Sequence, residues 1–317
     1  KKINIENHTM HTVLSITIPF FVIIFLGTLF RAKNIFDDNA SKTLTRFAFF
    51  VTLPPFIFLN IVKSSNNNIF QWDFIVRFEI ITILIFLSSL LLSKFLLNYK
   101  NREVSLFSLN ASYPNYGYMG IPLSILAFGE KAAVPISIIL FADTIVLLTL
   151  TSFFASNTGT KVYKNFFFIL INMIKNPLLA AVIIGFFFVI FNIPIYPLIY
   201  KILNILSLAA PPTALFALGI TLWNKVDMKF VQPIAVITIF KLLIHPFLIF
   251  CIFYFFPSSI SPLWIKVAIL CSCLPVAANV FAMAGYYETF VKQTSSAILV
   301  TTILSTVSVP IILYLLL

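Results

Sequence analysis

The sequence predicts an all-α polytopic membrane protein: ten transmembrane helices in an inverted five-plus-five repeat, with the fourth and ninth broken and crossing. Three observations carry this expectation. Sixty per cent of the 317 residues are hydrophobic and 10% are charged, whereas a soluble domain carries about 25% charged residues. Ten apolar segments approach the roughly 20 residues that a spanning helix requires. Prolines and their neighbours also recur at a near-constant displacement between the two halves, the mark of an internal repeat.

The apolar segments lie near 13–30, 44–62, 74–97, 104–127, 132–155, 166–191, 196–222, 230–256, 263–287 and 293–317. The first is long and is followed at once by the second, so no cleavable signal is expected. Ser64–Asn68 and Ser156–Lys164 read as connectors, and no loop is long enough for a soluble domain. Pro19, Gly27 and Asn34-Ile35 of the first segment match Pro177, Gly185 and Asn192-Ile193 of the sixth, each 158 positions on. Pro54-Pro55 matches Pro211-Pro212 at 157, and Pro114 matches Pro275 at 161. With five helices per half, the second repeat enters the membrane from the other side. The repeats, 1–160 and 161–317, are therefore expected to be inverted.

The formal net charge of +11 sits in short loops between apolar runs, as the positive-inside rule expects, so nucleic acid is excluded as a partner. Thirteen Lys and Arg fall in the loops of one side. Lys1, Lys2, Lys63, Lys131, Lys201 and Lys266 fall on the other, and Arg77 and Lys241 belong to neither. That asymmetry places both termini outside a bacterial inner or plasma membrane. Cys251, Cys271 and Cys273 lie in apolar surroundings without a second pair or a nearby His, so they read as packing residues rather than metal ligands.

The fourth segment carries the most chemistry. Ser112-Tyr113-Pro114-Asn115-Tyr116-Gly117-Tyr118-Met119-Gly120-Ile121-Pro122-Leu123 puts two prolines, two glycines and an asparagine inside a membrane-length run. Proline removes a backbone donor and clashes with the preceding turn. Lipid cannot satisfy the groups this frees, so such a break must be buried in protein or line a wet cavity. The ninth segment repeats the feature in Leu274-Pro275-Val276-Ala277-Ala278-Asn279. Broken helices meeting at the midplane present half-helix N-termini, suited to a carboxylate. Asn115 and Asn279 add amides that can donate to it. The plainer alternative, that Pro114, Pro122 and Pro275 only kink packed helices, explains less well why each break carries an asparagine.

Pro114 to Leu123, with Phe128-Gly129 following, resembles the fourth-helix signature of the auxin efflux carrier family, which comprises bacterial organic-acid permeases and the plant PIN carriers. Further matches are Leu26-Gly27 to Asn34-Ile35, Thr52-Leu53-Pro54, Asn176-Pro177, Ala210-Pro211 to Gly219, and Leu274-Pro275 to Tyr287. The resemblance implies a fold like that of the bile-acid/sodium symporters and NhaA. Helices 1, 2, 6 and 7 would form a scaffold through which a homodimer is expected, and helices 3–5 and 8–10 a transport domain moving elevator-fashion. It implies that Asn115 contacts the substrate carboxylate and that the crossover prolines are Pro122 or Pro114 and Pro275. The substrate site is accordingly expected at Asn115, Pro114, Tyr116, Gly117, Pro122, Pro275 and Asn279. The long loop of the plant members between helices 5 and 6 is absent here, which favours the organic-acid branch and a small carboxylate such as malate or malonate.

Ionisable groups within the spans each need a reason. Asp143, mid-way along the fifth segment, is a candidate for a coupling proton or cation. Lys241 and His245, four apart and so on one helix face, are candidates to complement a carboxylate or pair with Asp143. Arg77 and Glu79 are expected to snorkel. His8 and His11, near the chain start, carry no signal. No cofactor beyond a coupling H+ or Na+ is expected, and no catalytic or metal-binding set. An intramembrane aspartyl enzyme needs a pair of acids at depth, and Asp143 has no evident partner in the sequence. A ligand sensor on the same fold is the alternative, while a channel fits paired broken helices less well than alternating access.

Overall fold

The computed structural model describes residues 2–63, 71–155, 176–223, 228–256 and 259–317. Lys1, the connectors Ser64–Asn68 and Ser156–Lys164, the first part of the 166–191 segment, Lys175 and Lys225 lie outside the described residues. Described residues are helical throughout apart from short connections, with no strand beyond one isolated two-residue bridge. Among the described residues seven helices are long and apolar enough to cross a membrane, so this is a multi-pass membrane protein.

In chain order the helices are α1 (Lys2–Ala32), α2 (Asn39–Lys63), α3 (Trp72–Phe95), α4 (Asn101–Ser112), α5 (Tyr116–Phe128), α6 (Glu130–Ala155), α7 (Pro177–Ile190), α8 (Pro197–Thr221), α9 (Val231–Phe255), α10 (Pro262–Ser272), α11 (Val280–Tyr286) and α12 (Val291–Leu316). The apolar segments at 104–127 and 263–287 are thus each divided in two, α4 from α5 and α10 from α11.

Proline shapes the helices in a repeated way. Ala48–Thr52, Tyr116–Gly120 and Phe240–Ile244 are π-helical turns, and each ends two residues before a proline: Pro54, Pro122 and Pro246. The carbonyl four residues before each proline, which its missing N–H leaves without the usual donor, is the middle one of that turn. Widening the ladder shifts the bonding by one residue. Leu53, Ile121 and His245 accordingly donate to Ala48, Tyr116 and Phe240. Such bulges gather at functional sites, and two of these three hold candidate site residues, Tyr116 and Lys241.

The α1–α8 contact depends on two glycines. A Cβ on Gly219 would run into Ile24 O, and one on Gly27 into Phe216 O. Thr28 Oγ1 donates to Gly219 O at 2.8 Å across the contact. Small residues let helix backbones approach this closely in lipid. The ends of α1 and α7 are built alike, 158 positions apart. Asn34 and Asn192 both adopt the left-handed conformation, φ 56° and 50°, which Asn tolerates better than most residues. In each case the next N–H reaches back five residues, Ile35 to Phe30 O at 3.1 Å and Ile193 to Phe188 O at 2.9 Å. Both close their helix with the same C-terminal motif.

Candidate functional site

The two interruptions lie side by side and bond to each other. Tyr113 leaves α4 in extended conformation, φ −90° and ψ 108°. Asn115 N donates to Pro275 O at 2.9 Å, and Ala277 N donates to Tyr113 O at 3.0 Å. This is an antiparallel bridge between Pro114 and Val276, and it satisfies groups that neither lipid nor helix could supply. Val276 N donates outward to Thr301 Oγ1 on α12 at 3.1 Å. Pro114 therefore forms the crossing with Pro275, and Pro122 does not. Pro122 lies within α5, where the π-helical turn Tyr116–Gly120 accommodates its missing N–H.

Asn115 caps the start of α5. Its backbone carbonyl accepts from Gly120 N at 2.9 Å, and its side-chain Oδ1 accepts from Tyr118 N at 3.4 Å. That bond fixes the amide's orientation and leaves Nδ2 as donor. The residue is 1% exposed, and Nδ2 has no hydrogen-bond partner. Pro114, Asn115, Tyr116, Gly117 and Asn279 line one small cavity with Tyr113, Tyr118, Leu140 and Ala277. Its opposite wall comes from Phe49 of α2 and from Asn176 and Leu178 at the start of α7. The cavity encloses about 20 Å³, room for about one water molecule. None of its lining residues carries a formal charge.

A hydroxyl network ties this cavity to α6. Asn279 Nδ2 donates to Tyr113 OH at 3.3 Å, and Tyr113 OH shares a 2.7 Å bond with Thr144 Oγ1. Tyr116 OH donates to Asp143 Oδ2. Behind the bridge, Lys241 Nζ donates to Ser272 O at 2.9 Å, at the C-terminal end of α10, and lies 3.1 Å from His245 Nδ1. As an ammonium, Lys241 can only donate, and Nδ1 would then accept with the ring proton on Nε2. Asp143 and Lys241 are electrostatic neighbours.

Glu79 corrects the expectation of snorkelling. It is 8% exposed and faces Asp143 across the α3–α6 contact, with Thr82 beside it. Arg77, two residues earlier, lies on another face of α3. It pairs with Asp73 at 2.8 Å and donates to Phe256 O at 2.7 Å, capping the end of α9. The expectation that Asp143 lacks an acidic partner is overturned with it.

A family model described as "Membrane transport protein" matches residues 12–313. The chain belongs to that family, the auxin efflux carriers. A protein of Rhizobium meliloti (strain 1021), named "Putative malonate transporter", is 29% identical over 311 residues, 96% of each chain. An uncharacterized transporter of Methanocaldococcus jannaschii is 24% identical, covering 92% of this chain and 95% of the relative. The uncharacterized transporter YfdV of Escherichia coli (strain K12) is 21% identical, covering 94% and 95%. Family membership makes this a membrane transporter.

Tyr113, Thr144, Asn176, Phe49, Glu79 and Thr82 complete the arrangement without having been singled out for it. For Glu79 and Thr82 a signal exists, since residues three apart share a helix face. Cys271 and Cys273 are buried free thiols.

Proposed function

We propose that this protein is a secondary active transporter of a small organic anion, a carboxylate such as malate or malonate or an auxin-like acid, working by elevator-type alternating access. The observation that carries the reading is the Asn115 amide, a buried donor with no partner, held at a helix start beside a cavity. A helix N-terminus favours negative charge, and a carboxylate oxygen would accept from Nδ2. The name of the Rhizobium meliloti relative points to the same chemistry. A lining without formal charge suits a singly charged acid, which for malate or malonate is the monoprotonated form, better than the dianion, whose second charge would have no counterpart.

The proposed architecture is the ten-helix inverted repeat, with α1, α2, α7 and α8 as scaffold and the remaining helices as the moving body. In support, α1 packs on α8 and α2 on α7, pairings that interchange when the two repeats are exchanged, and α2 packs on α8, a pairing that the exchange maps onto itself. The cavity lies where the two bodies meet, so sliding one along the other would open it to accept a molecule larger than water. Placement in the cell membrane with both termini outside, a homodimer through the scaffold, and H+ or Na+ coupling belong to the same proposal.

The test is carriage in vesicles containing the reconstituted protein, using labelled malonate and a panel of mono- and dicarboxylates, with and without pH and sodium gradients. Saturable uptake of at least one acid is expected. Asn115→Ala should weaken its binding by about ten- to a hundredfold, the range for a hydrogen bond to a charged group. The assignment fails if no acid is carried and Asn115→Ala leaves binding unchanged. Binding without carriage would instead indicate a ligand sensor.

A further inference from the structure

We infer that Glu79 and Asp143 form an acid pair that binds one proton and carries it across the membrane together with the substrate anion, with Tyr116 linking the pair to the substrate cavity. The inference rests on the anion-transport reading and adds the coupling ion and its site.

Geometry supplies the argument. Both Glu79 oxygens and Asp143 Oδ1 are buried acceptors with no hydrogen-bond donor, and the two carboxyls face each other within bonding reach. Two carboxylates cannot share a dry site when both are ionised. A proton on one of them converts their repulsion into a hydrogen bond. The charge count agrees. Thr82 and Glu79 on α3, Asp143 on α6, Lys241 and His245 on α9, Tyr113 and Tyr116 at the α4–α5 break, Cys271 on α10 and Cys273 just after it are the titratable and polar groups around the pair. Among these, Lys241 is the one formal cation, since His245 accepts from it and is neutral. Two ionised acids beside one ammonium leave one uncompensated charge, which a buried site does not tolerate. One bound proton brings the cluster to zero.

Tyr116 makes this site sense the substrate. Tyr116 lines the cavity, and its hydroxyl donates to Asp143. An anion arriving beside Tyr116 raises the cost of a negative Asp143, and so favours the protonated pair. The proton adds to a carboxyl oxygen from water on one side and leaves to water on the other, with no net change in the protein. A sodium ion in the same place would bring a full positive charge beside Lys241 and would need further oxygen ligands.

The experiment uses the full chain in vesicles and labelled malonate, or whichever acid of the panel proves to be exchanged. Wild-type protein should concentrate the acid on a pH gradient alone, exchange should fall as pH rises, and the vesicle lumen should acidify as the acid enters. Glu79→Gln fixes one carboxyl as a permanent neutral donor. It should abolish accumulation on the pH gradient and remove the pH dependence of exchange, an effect that a purely structural role would not produce. The wild-type lumen measurement stands on its own should the variant fail to fold. Accumulation on a sodium gradient without a pH gradient, an unchanged lumen pH during uptake, or a folded Glu79→Gln that still concentrates the acid would each overturn the proton pair while leaving anion transport intact. Absence of exchange for every acid would overturn the transport reading and this inference with it.

Discussion

The two breaks occupy matching places in the halves, yet they do different chemistry. The first is tight. Helix resumes at Tyr116, with three residues between it and the end of α4 at Ser112, and its backbone groups are used locally or in the bridge: Tyr113 O with Ala277 N, Asn115 N with Pro275 O, and Asn115 O with Gly120 N. Only the Asn115 side-chain donor is left over. The second break runs from Cys273 to Asn279 before helix resumes at Val280. It is anchored from outside by Thr301, and its asparagine, at the exposed rim, already donates to Tyr113 OH. The asparagines are not equivalent in register either, one residue after Pro114 and four after Pro275. Matching prolines set where the chain opens, and the residues beside them decide which opening presents a free donor and which one holds it in place.

The sharpest way to break this comparison is Asn115→Asp. A carboxylate there would face the substrate carboxylate at a few ångströms, and at about 4 Å with an effective dielectric near 20 the repulsion is about 4 kcal/mol. We expect roughly a thousandfold loss of affinity, read by calorimetry or by the concentration dependence of uptake. Asp at position 279 should cost far less, because that site opens to solvent. Equal losses at both positions would mean that the two breaks contribute alike.

Thr301→Val tests the anchoring role of the second break. The substitution keeps the shape and removes the acceptor of Val276 N, leaving a buried N–H unsatisfied at a cost of about 1–3 kcal/mol. The melting temperature in detergent should fall by more than it does for Asn115→Ala, while affinity, once corrected for folded protein, should change by less. An affinity loss without a stability loss would reverse the roles assigned to the two sides.

Much of this was legible in the sequence because the relevant signals are local. Hydropathy marks the spans, and a proline removes a donor wherever it falls. For that reason breaks at Pro114 and Pro275 could be expected from residues alone. Pro122 could not be told apart from Pro114 by identity. Its harmless position depends on where α5 begins, which the bridge to Pro275 decides. Glu79 was illegible for a different reason. Whether an acid near a helix end turns to the interface or inward depends on its neighbours, and here Asp143 on α6 is the group it faces. Tyr113 and Thr144 likewise meet only because α4 packs on α6, a contact 31 residues apart in the chain.

The smallest expected effect belongs to Asn279→Ala, and it sharpens the comparison most finely. The Asn279 amide gives up one 3.3 Å bond to Tyr113 OH, at a site open to water that can replace it. A typical net contribution is about 0.5–1.5 kcal/mol, so a two- to tenfold loss of affinity is expected, with little change in stability. Tyr113 keeps its bond to Thr144, which should hold the ring in place. If Asn279 contacts substrate directly, the loss should instead approach that of Asn115→Ala and should vary with the acid tested. If it only steadies Tyr113, the loss should be uniform across acids and should be reproduced by Tyr113→Phe. Affinities of both variants for three or more acids distinguish these outcomes.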